Sequence, residues 1–188
     1  MVITSNTAGS ISECFQGDDE CAFEAAFEMH WPWVCALLYR LVGDYDEAED
    51  LALEVFYRLH KRPPKEQAKL GSWLHRVATN IGLNALRARQ RRSRYEEIAG
   101  VLKLQQAAPP DPAVEAERRE GQQLVRQILA QMKPRAAKLL ILRHSGLSYA
   151  EIAEVLNIAP SSVGTLLARA EKVFEQRYRA LEVSDETS

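Results

Sequence analysis

The chain has 188 residues, enough for one ordinary domain or two small ones, and 46% of them are hydrophobic, which supplies a core. Aromatics are sparse at 7%, and the prominence of Ala, Leu, Glu and Arg favours helix. No apolar stretch approaches the roughly 20 residues that span a bilayer, and no charged-then-apolar signal peptide opens the chain, so membrane insertion is excluded and the expected compartment is the cytoplasm.

The net charge of −2 averages over segregated blocks. Asp44, Asp46, Glu47, Glu49, Asp50 and Glu54 fall in one span without a base. From Arg58 to Arg94 the only acid is Glu66, among many lysines and arginines. Solvated charge runs are common, but adjacent blocks of opposite sign suggest two partners, one basic and one anionic.

Cys14, Cys21 and Cys35 lie near the N-terminus, an odd set that argues against a disulfide framework. With His30 they match no compact zinc pattern, so no metal is expected; Cys35 reads as a small buried hydrophobe. The acidic block predicts a helix capped by Asp44, with Glu47 at capping-box spacing. Ala48, Leu51, Ala52, Val55 and Leu59 form its buried stripe. The opposite face carries Asp46, Asp50, Leu53 and Tyr57, a leucine among acids that suits a protein-docking surface better than bare solvent.

The stretch KRPPKEQAKLG is a basic loop with two prolines. A helix from about Gly71 to Arg91 follows, with Leu74, Val77, Ala78, Ile81 and Ala85 inward. Trp73, Arg76, Asn80, Asn84, Arg87 and Arg91 recur along another side. Trp73 reads as a core anchor. The remaining row mixes guanidinium groups suited to phosphates with amides suited to base edges, which favours nucleic-acid contact. After Arg94 the helical period is lost, and Gln105 to Ala113, with its APPDP, reads as linker. Periodicity resumes in LVRQILAQM, breaks at Lys133-Pro134, and a further helix ends at Gly146.

Ser148 and Glu151 then form a capping box, with Ile152, Ala153 and Leu156 inward. Asn157 suits a left-handed turn, and Pro160 the first position of a next helix. Val163, Leu167, Ala170 and Phe174 form that helix's core stripe, while Ser161, Thr165, Ala168, Arg169 and Lys172 face out. This is a helix-turn-helix; the bland alternative is a plain helical hairpin. The histidines His30, His60, His75 and His144 are scattered without a nucleophile or metal motif, so neither catalysis nor a cofactor is expected.

DEAEDLALEVFYRL, GSWLHRVATNIGLNALRARQRR and GLSYAEIAEVLNIAPSSVGTLLARA stand in this order, with a Pro-containing linker before the third. Together they resemble the extracytoplasmic-function sigma factors of bacterial RNA polymerase, which carry only the second and fourth conserved sigma regions. The resemblance covers roughly Phe23 to Arg94 and Glu117 to Leu181. It implies an all-α chain of two small helical domains joined by a flexible linker, the C-terminal one a helix-turn-helix. The implied division is an N-terminal segment 1–22, region 2 over 23–95, a linker over 96–116, region 4 over 117–181 and a tail 182–188.

The resemblance also implies a role for each surface. Asp46, Glu49, Asp50, Leu53 and Tyr57 would dock on core polymerase. Lys65, Lys69, Arg76, Asn80, Asn84, Arg87 and Arg91 would open and hold the −10 element, with Asn80 near an extruded base. Ser148, Tyr149, Ser161, Ser162, Thr165, Arg169 and Lys172 would meet the −35 element in the major groove. An anti-sigma partner is a further implication.

The chain departs from the family in three places. Leu53 stands where glutamine is common, and Gly164 and Leu166 stand where many members carry Lys and Arg. Leu166 lies beside the core stripe, and Gly164 either serves only by being small or admits the DNA backbone closely. A neutral helix start can still hold phosphates through its free N–H groups. Two other readings stay open: a helix-turn-helix regulator that does not engage polymerase, and an anti-sigma-like adaptor. Polymerase-dependent initiation and a promoter footprint separate them.

Overall fold

The structure is a computed structural model that describes residues 19–98 and 112–185. Among these residues the chain is helical, without strands. In chain order the helices are α1 (Asp19–Val42), α2 (Tyr45–Lys61), α3 (Leu70–Ile98), α4 (Pro112–Gln131), α5 (Pro134–His144), α6 (Tyr149–Leu156) and α7 (Pro160–Asp185). A short 3₁₀ turn, Gln67–Lys69, leads into α3.

Helices α1 to α3 pack around the apolar faces that their periodicity lays out. Phe56 is 1% exposed and its ring lies 4.8 Å from Phe27 and 5.8 Å from Trp31. Leu74, Ala78 and Ile81 close the core from α3, together with Leu83 and Leu86. The α1–α3 crossing is tight: a Cβ on Gly82 would stand 2.6 Å from Leu41 Cδ1 and 3.0 Å from Leu38 Cδ2. Trp73 is partly buried against this core, and Cys35 lies within it. Burial and the nearby Glu49 carboxylate push the Cys35 thiol above its ordinary pKa.

Two boundaries differ from the periodicity. Helix α3 runs to Ile98, past the loss of apolar repeat after Arg94. Its last turns are polar on the described faces, so continuation of backbone hydrogen bonding, rather than burial, carries them. Pro112 and Ala113, read as linker, instead open α4, because proline at a first helical position loses no intrahelical hydrogen bond. The rest of the Gln105–Ala113 stretch lies outside the described residues, as does Cys14.

A second cluster, with Leu139, Leu142, Leu147, Ile152, Val163 and Leu167, is the interior of the helix-turn-helix. The two halves also meet. Ile128, Leu129, Met132 and Ile141 join the cluster formed by α1 to α3, so one apolar interior continues from the first half into the second.

Candidate polymerase and promoter surfaces

Helix α2 begins as its sequence specifies. Glu47 N–H donates to Asp44 Oδ1 at 2.9 Å. The Glu47 carboxylate does not complete a capping box; it receives Arg89 Nη1 at 3.3 Å, and the same nitrogen donates to Val42 O at 2.8 Å. Arg89 therefore ties α3 to the α1–α2 turn, where Gly43 adopts φ 76°. Ala48, Ala52, Val55, Phe56 and Leu59 are buried.

Asp46, Asp50, Leu53 and Tyr57 are exposed on the other side, and Glu49 is half-buried. Leu53 is 53% exposed and Tyr57 58% exposed, with Lys61 Nζ 5.6 Å from the Tyr57 ring centre. Tyr39 and Tyr45 add exposed aromatic surface near the start of the same helix. Sequence periodicity did not single these two out: Tyr39 precedes the acidic span, and Tyr45 lies at its very start. Glu49, by charge and hydrogen bond, holds the Tyr45 hydroxyl above its ordinary pKa.

The basic loop and α3 divide into free and engaged cations. Lys65 is exposed, whereas Lys69 pairs with Glu66 at 2.7 Å and its pKa is raised by that contact. Asn84 and Arg91 are exposed. Arg76 is committed elsewhere: Nε donates to Val155 O at 2.7 Å and Nη2 to Glu154 O at 2.8 Å. Ser72 Oγ donates to Glu154 Oε2 at 2.9 Å. Arg87 donates to Met132 O at 2.7 Å and Ala130 O at 3.3 Å, and burial lowers its pKa. Asn80 is half-buried in a small cavity lined also by Thr79, Lys138, Leu142 and Leu156. The expected row thus exists, but Arg76, though exposed, and the half-buried Arg87 bond to carbonyls of the second half of the chain.

The helix-turn-helix follows its local signals closely. Ser148 N–H and Oγ donate to Glu151 Oε2 at 2.7 and 2.6 Å, and Glu151 N–H donates to Ser148 Oγ at 3.3 Å. These bonds hold the Glu151 carboxyl below its ordinary pKa. Asn157 ends α6 at φ 52°, and Pro160 begins α7. Ser161, Thr165, Arg169 and Lys172 are exposed along one side, Ser162 is half-buried, and Tyr149 is exposed with Arg143 5.4 Å from its ring centre. Val163, Leu167 and Ala170 are buried, and Leu166 packs partly against the second cluster.

The space beside Gly164 holds the Tyr149 ring: a Cβ there would meet Tyr149 Cε2 at 3.5 Å, an ordinary contact. This geometry favours smallness over close DNA approach. Gly164→Ala is expected to raise stability by up to about 1 kcal/mol, the difference in helix propensity, and to leave promoter choice unchanged. Thermal unfolding paired with transcription from promoters with and without a −35 element checks it; a selective loss of −35-dependent transcription contradicts it.

Similarity to known proteins agrees with this arrangement. A family model for Sigma-70 region 2 matches residues 26–92, and one for Sigma-70, region 4 matches residues 122–173. The ECF RNA polymerase sigma factor SigW of Bacillus subtilis is 27% identical, over 91% of this chain and 96% of its own length. The RNA polymerase sigma-H factor of Pseudomonas aeruginosa is 26% identical, over 96% of this chain and 98% of its own length. In fold, the chain is similar to the sigma factor RpoE from Bartonella quintana, solved in complex with the anti-sigma factor NepR. That likeness has a TM-score of 0.52 at 20% identity and covers 84% of this chain and 96% of the other. Two sigma regions in this order, with full-length relatives of the same kind, disfavour both a regulator independent of polymerase and an adaptor. The chain belongs to the extracytoplasmic-function sigma factors, the subunits that bind core RNA polymerase and direct it to initiate at specific promoters.

Proposed function

We propose how the sigma activity is divided over these surfaces. Residues 23–95 act as the polymerase and −10 module and residues 117–181 as the −35 module, with 96–116 as the tether and 1–22 and 182–188 flanking them. Core polymerase docks on Asp46, Glu49, Asp50, Leu53 and Tyr57. The observation that carries this reading is Leu53, a large apolar side chain left 53% exposed among acids on the face opposite the core. Lys65, Lys69, Arg76, Asn80, Asn84, Arg87 and Arg91 hold the −10 element. Ser148, Tyr149, Ser161, Ser162, Thr165, Arg169 and Lys172 meet the −35 element. The chain acts in the cytoplasm by binding, without a catalytic step or cofactor of its own. An anti-sigma factor, the kind of partner bound to the Bartonella protein, regulates it.

The division of labour on α3 is testable. Asn80→Ala is expected to impair opening at particular −10 sequences, because an amide reads base edges. Arg91→Ala is expected to weaken binding at all sequences and to lower the salt slope by about one, because a phosphate contact carries no sequence information. Permanganate reactivity and salt-dependent binding by the holoenzyme measure the two effects. The same sequence-independent loss in both variants would remove Asn80 from the base-reading role.

A further inference from the structure

Three side chains at the seam of α1 and α3 lie outside the polymerase and promoter residues named above. Trp33 Nε1 donates to His30 Nδ1 at 3.1 Å, one turn back on α1. The Trp33 ring also stacks on the His75 imidazole of α3, with ring centres 4.1 Å apart and planes at 24°. All three residues are half-buried. An indole N–H can only donate, so His30 Nδ1 accepts here and carries no proton. His75 Nδ1 is buried without a hydrogen-bond partner. A bare ring nitrogen tolerates that place better than an N–H does, and a charged imidazole carries an N–H on both nitrogens. Both histidines are thus held neutral. Pro32, inside α1 between His30 and Trp33, gives the helix no backbone N–H, so this stretch leans more on its side-chain contacts.

Two groups favour a charge on His75: the face of Trp33, which attracts a cation, and the Glu151 carboxylate on α6. Glu151 is exposed and already accepts from Ser148 N–H and Oγ, and a charge on His30 across the seam opposes one on His75. Burial prevails and lowers the pKa of both histidines below the ordinary 6.5. A histidine shifted in this direction adds stability that is full above pH 6.5 and is lost as pH falls towards the folded value. We propose that this seam makes the chain acid-sensitive: Trp33 ties α1 to α3 while His30 and His75 are neutral, and protonation of the pair releases it, loosening the part of α3 that carries Arg76 and Asn80 and lowering promoter opening. The last step rests on the reading of α3 as the −10 surface.

His30→Gln combined with His75→Phe keeps an acceptor and an aromatic face but removes both titrations. Urea unfolding of the full chain is followed at about pH 7.5 and about pH 5.5, which bracket the ordinary histidine transition. Each histidine can raise the unfolding constant by at most about tenfold over this range, so the wild type is expected to lose about tenfold more than the double variant. His144→Gln, an exposed site at the end of α5, should keep the wild-type response. Trp33→Phe still stacks on His75 but has no N–H for His30, so its response should fall between the two. A stacked imidazolium also quenches indole emission, so native fluorescence of the wild type should drop reversibly on acidification, and that of His75→Phe much less. Equal pH responses in the wild type and the double variant would overturn the seam. If the double variant does not fold, equal quenching in the wild type and in His75→Phe would overturn it instead. In the holoenzyme, permanganate reactivity of the −10 element should fall more on acidification with the wild type than with the double variant. Equal falls there, beside different responses in the free chain, would overturn control of opening by the seam. Wild-type binding by an Arg91→Ala holoenzyme would overturn the DNA reading of α3 alone, since the responses of the free chain do not depend on it.

Discussion

Leu53→Glu is expected to lower affinity for core polymerase by about thirtyfold, equivalent to about 2 kcal/mol, while thermal unfolding stays close to wild type. The magnitude is that of a central apolar contact in an interface whose truncation dominates binding. Leu53 is 53% exposed and points away from Ala52, Val55 and Phe56, so the fold does not depend on it. A carboxylate at its centre would have to be desolvated against the polymerase without a partner. Asp50→Arg on the same exposed face reverses a charge expected to meet a basic surface, and its loss of affinity should shrink as salt rises. Leu53→Glu acts through desolvation and should be less sensitive to salt. Titration of labelled core enzyme, with circular dichroism on each variant, measures both. Wild-type affinity in both variants would remove polymerase docking from this face.

Phe56→Ala is expected to act through the fold instead. Phe56 is one residue before the exposed Tyr57, yet it is 1% exposed and lies among Phe27, Trp31 and the α3 side of the core. Truncating a buried phenylalanine costs about 3–5 kcal/mol, the transfer term plus a cavity that neighbours only partly fill. That is a large fraction of the stability of an ordinary domain. Polymerase binding should fall with the folded fraction and recover when the protein is cooled towards its temperature of greatest stability. Denaturant unfolding followed by tryptophan fluorescence gives the cost. A loss below about 1 kcal/mol would mean that the aromatic cluster repacks around the cavity.

Much of this was legible in the sequence where a single helix carries the signal. The α2 stripe, the Asp44 cap, the Ser148–Glu151 capping box and the left-handed Asn157 each depend on residues a few positions apart, and each stands where local rules place it. The end of α3 was not legible, because a polar helix that projects beyond its core has no apolar period to read. The start of α4 was obscured by prolines, which break a helix interior but open a helix readily.

The candidate sites divide in the same way. Exposure of Asp50, Leu53, Tyr57, Asn84, Arg91, Thr165 and Arg169 follows from helical phase. The engagement of Arg76 and Arg87 does not, since no local pattern pairs Ser72 with Glu154 or an arginine with carbonyls of a distant helix. Gly82 likewise gave no sequence signal: its role is set by Leu38 and Leu41 of α1, which approach it across the helix crossing. The neutral start of α7 is partly explained by packing. Leu166 leans on the helix-turn-helix interior and Gly164 lies beside Tyr149, so both positions serve packing here.

The most direct test of the sigma assignment is run-off transcription by purified core polymerase on a library of genomic promoter fragments, with and without this chain. The account predicts transcripts that appear only when the chain is present, that start from a limited set of fragments sharing spaced −35 and −10 elements, and that disappear with Leu53→Glu. Transcription from the same fragments with core polymerase alone, or no specific transcript when the folded chain is added in excess, would contradict it.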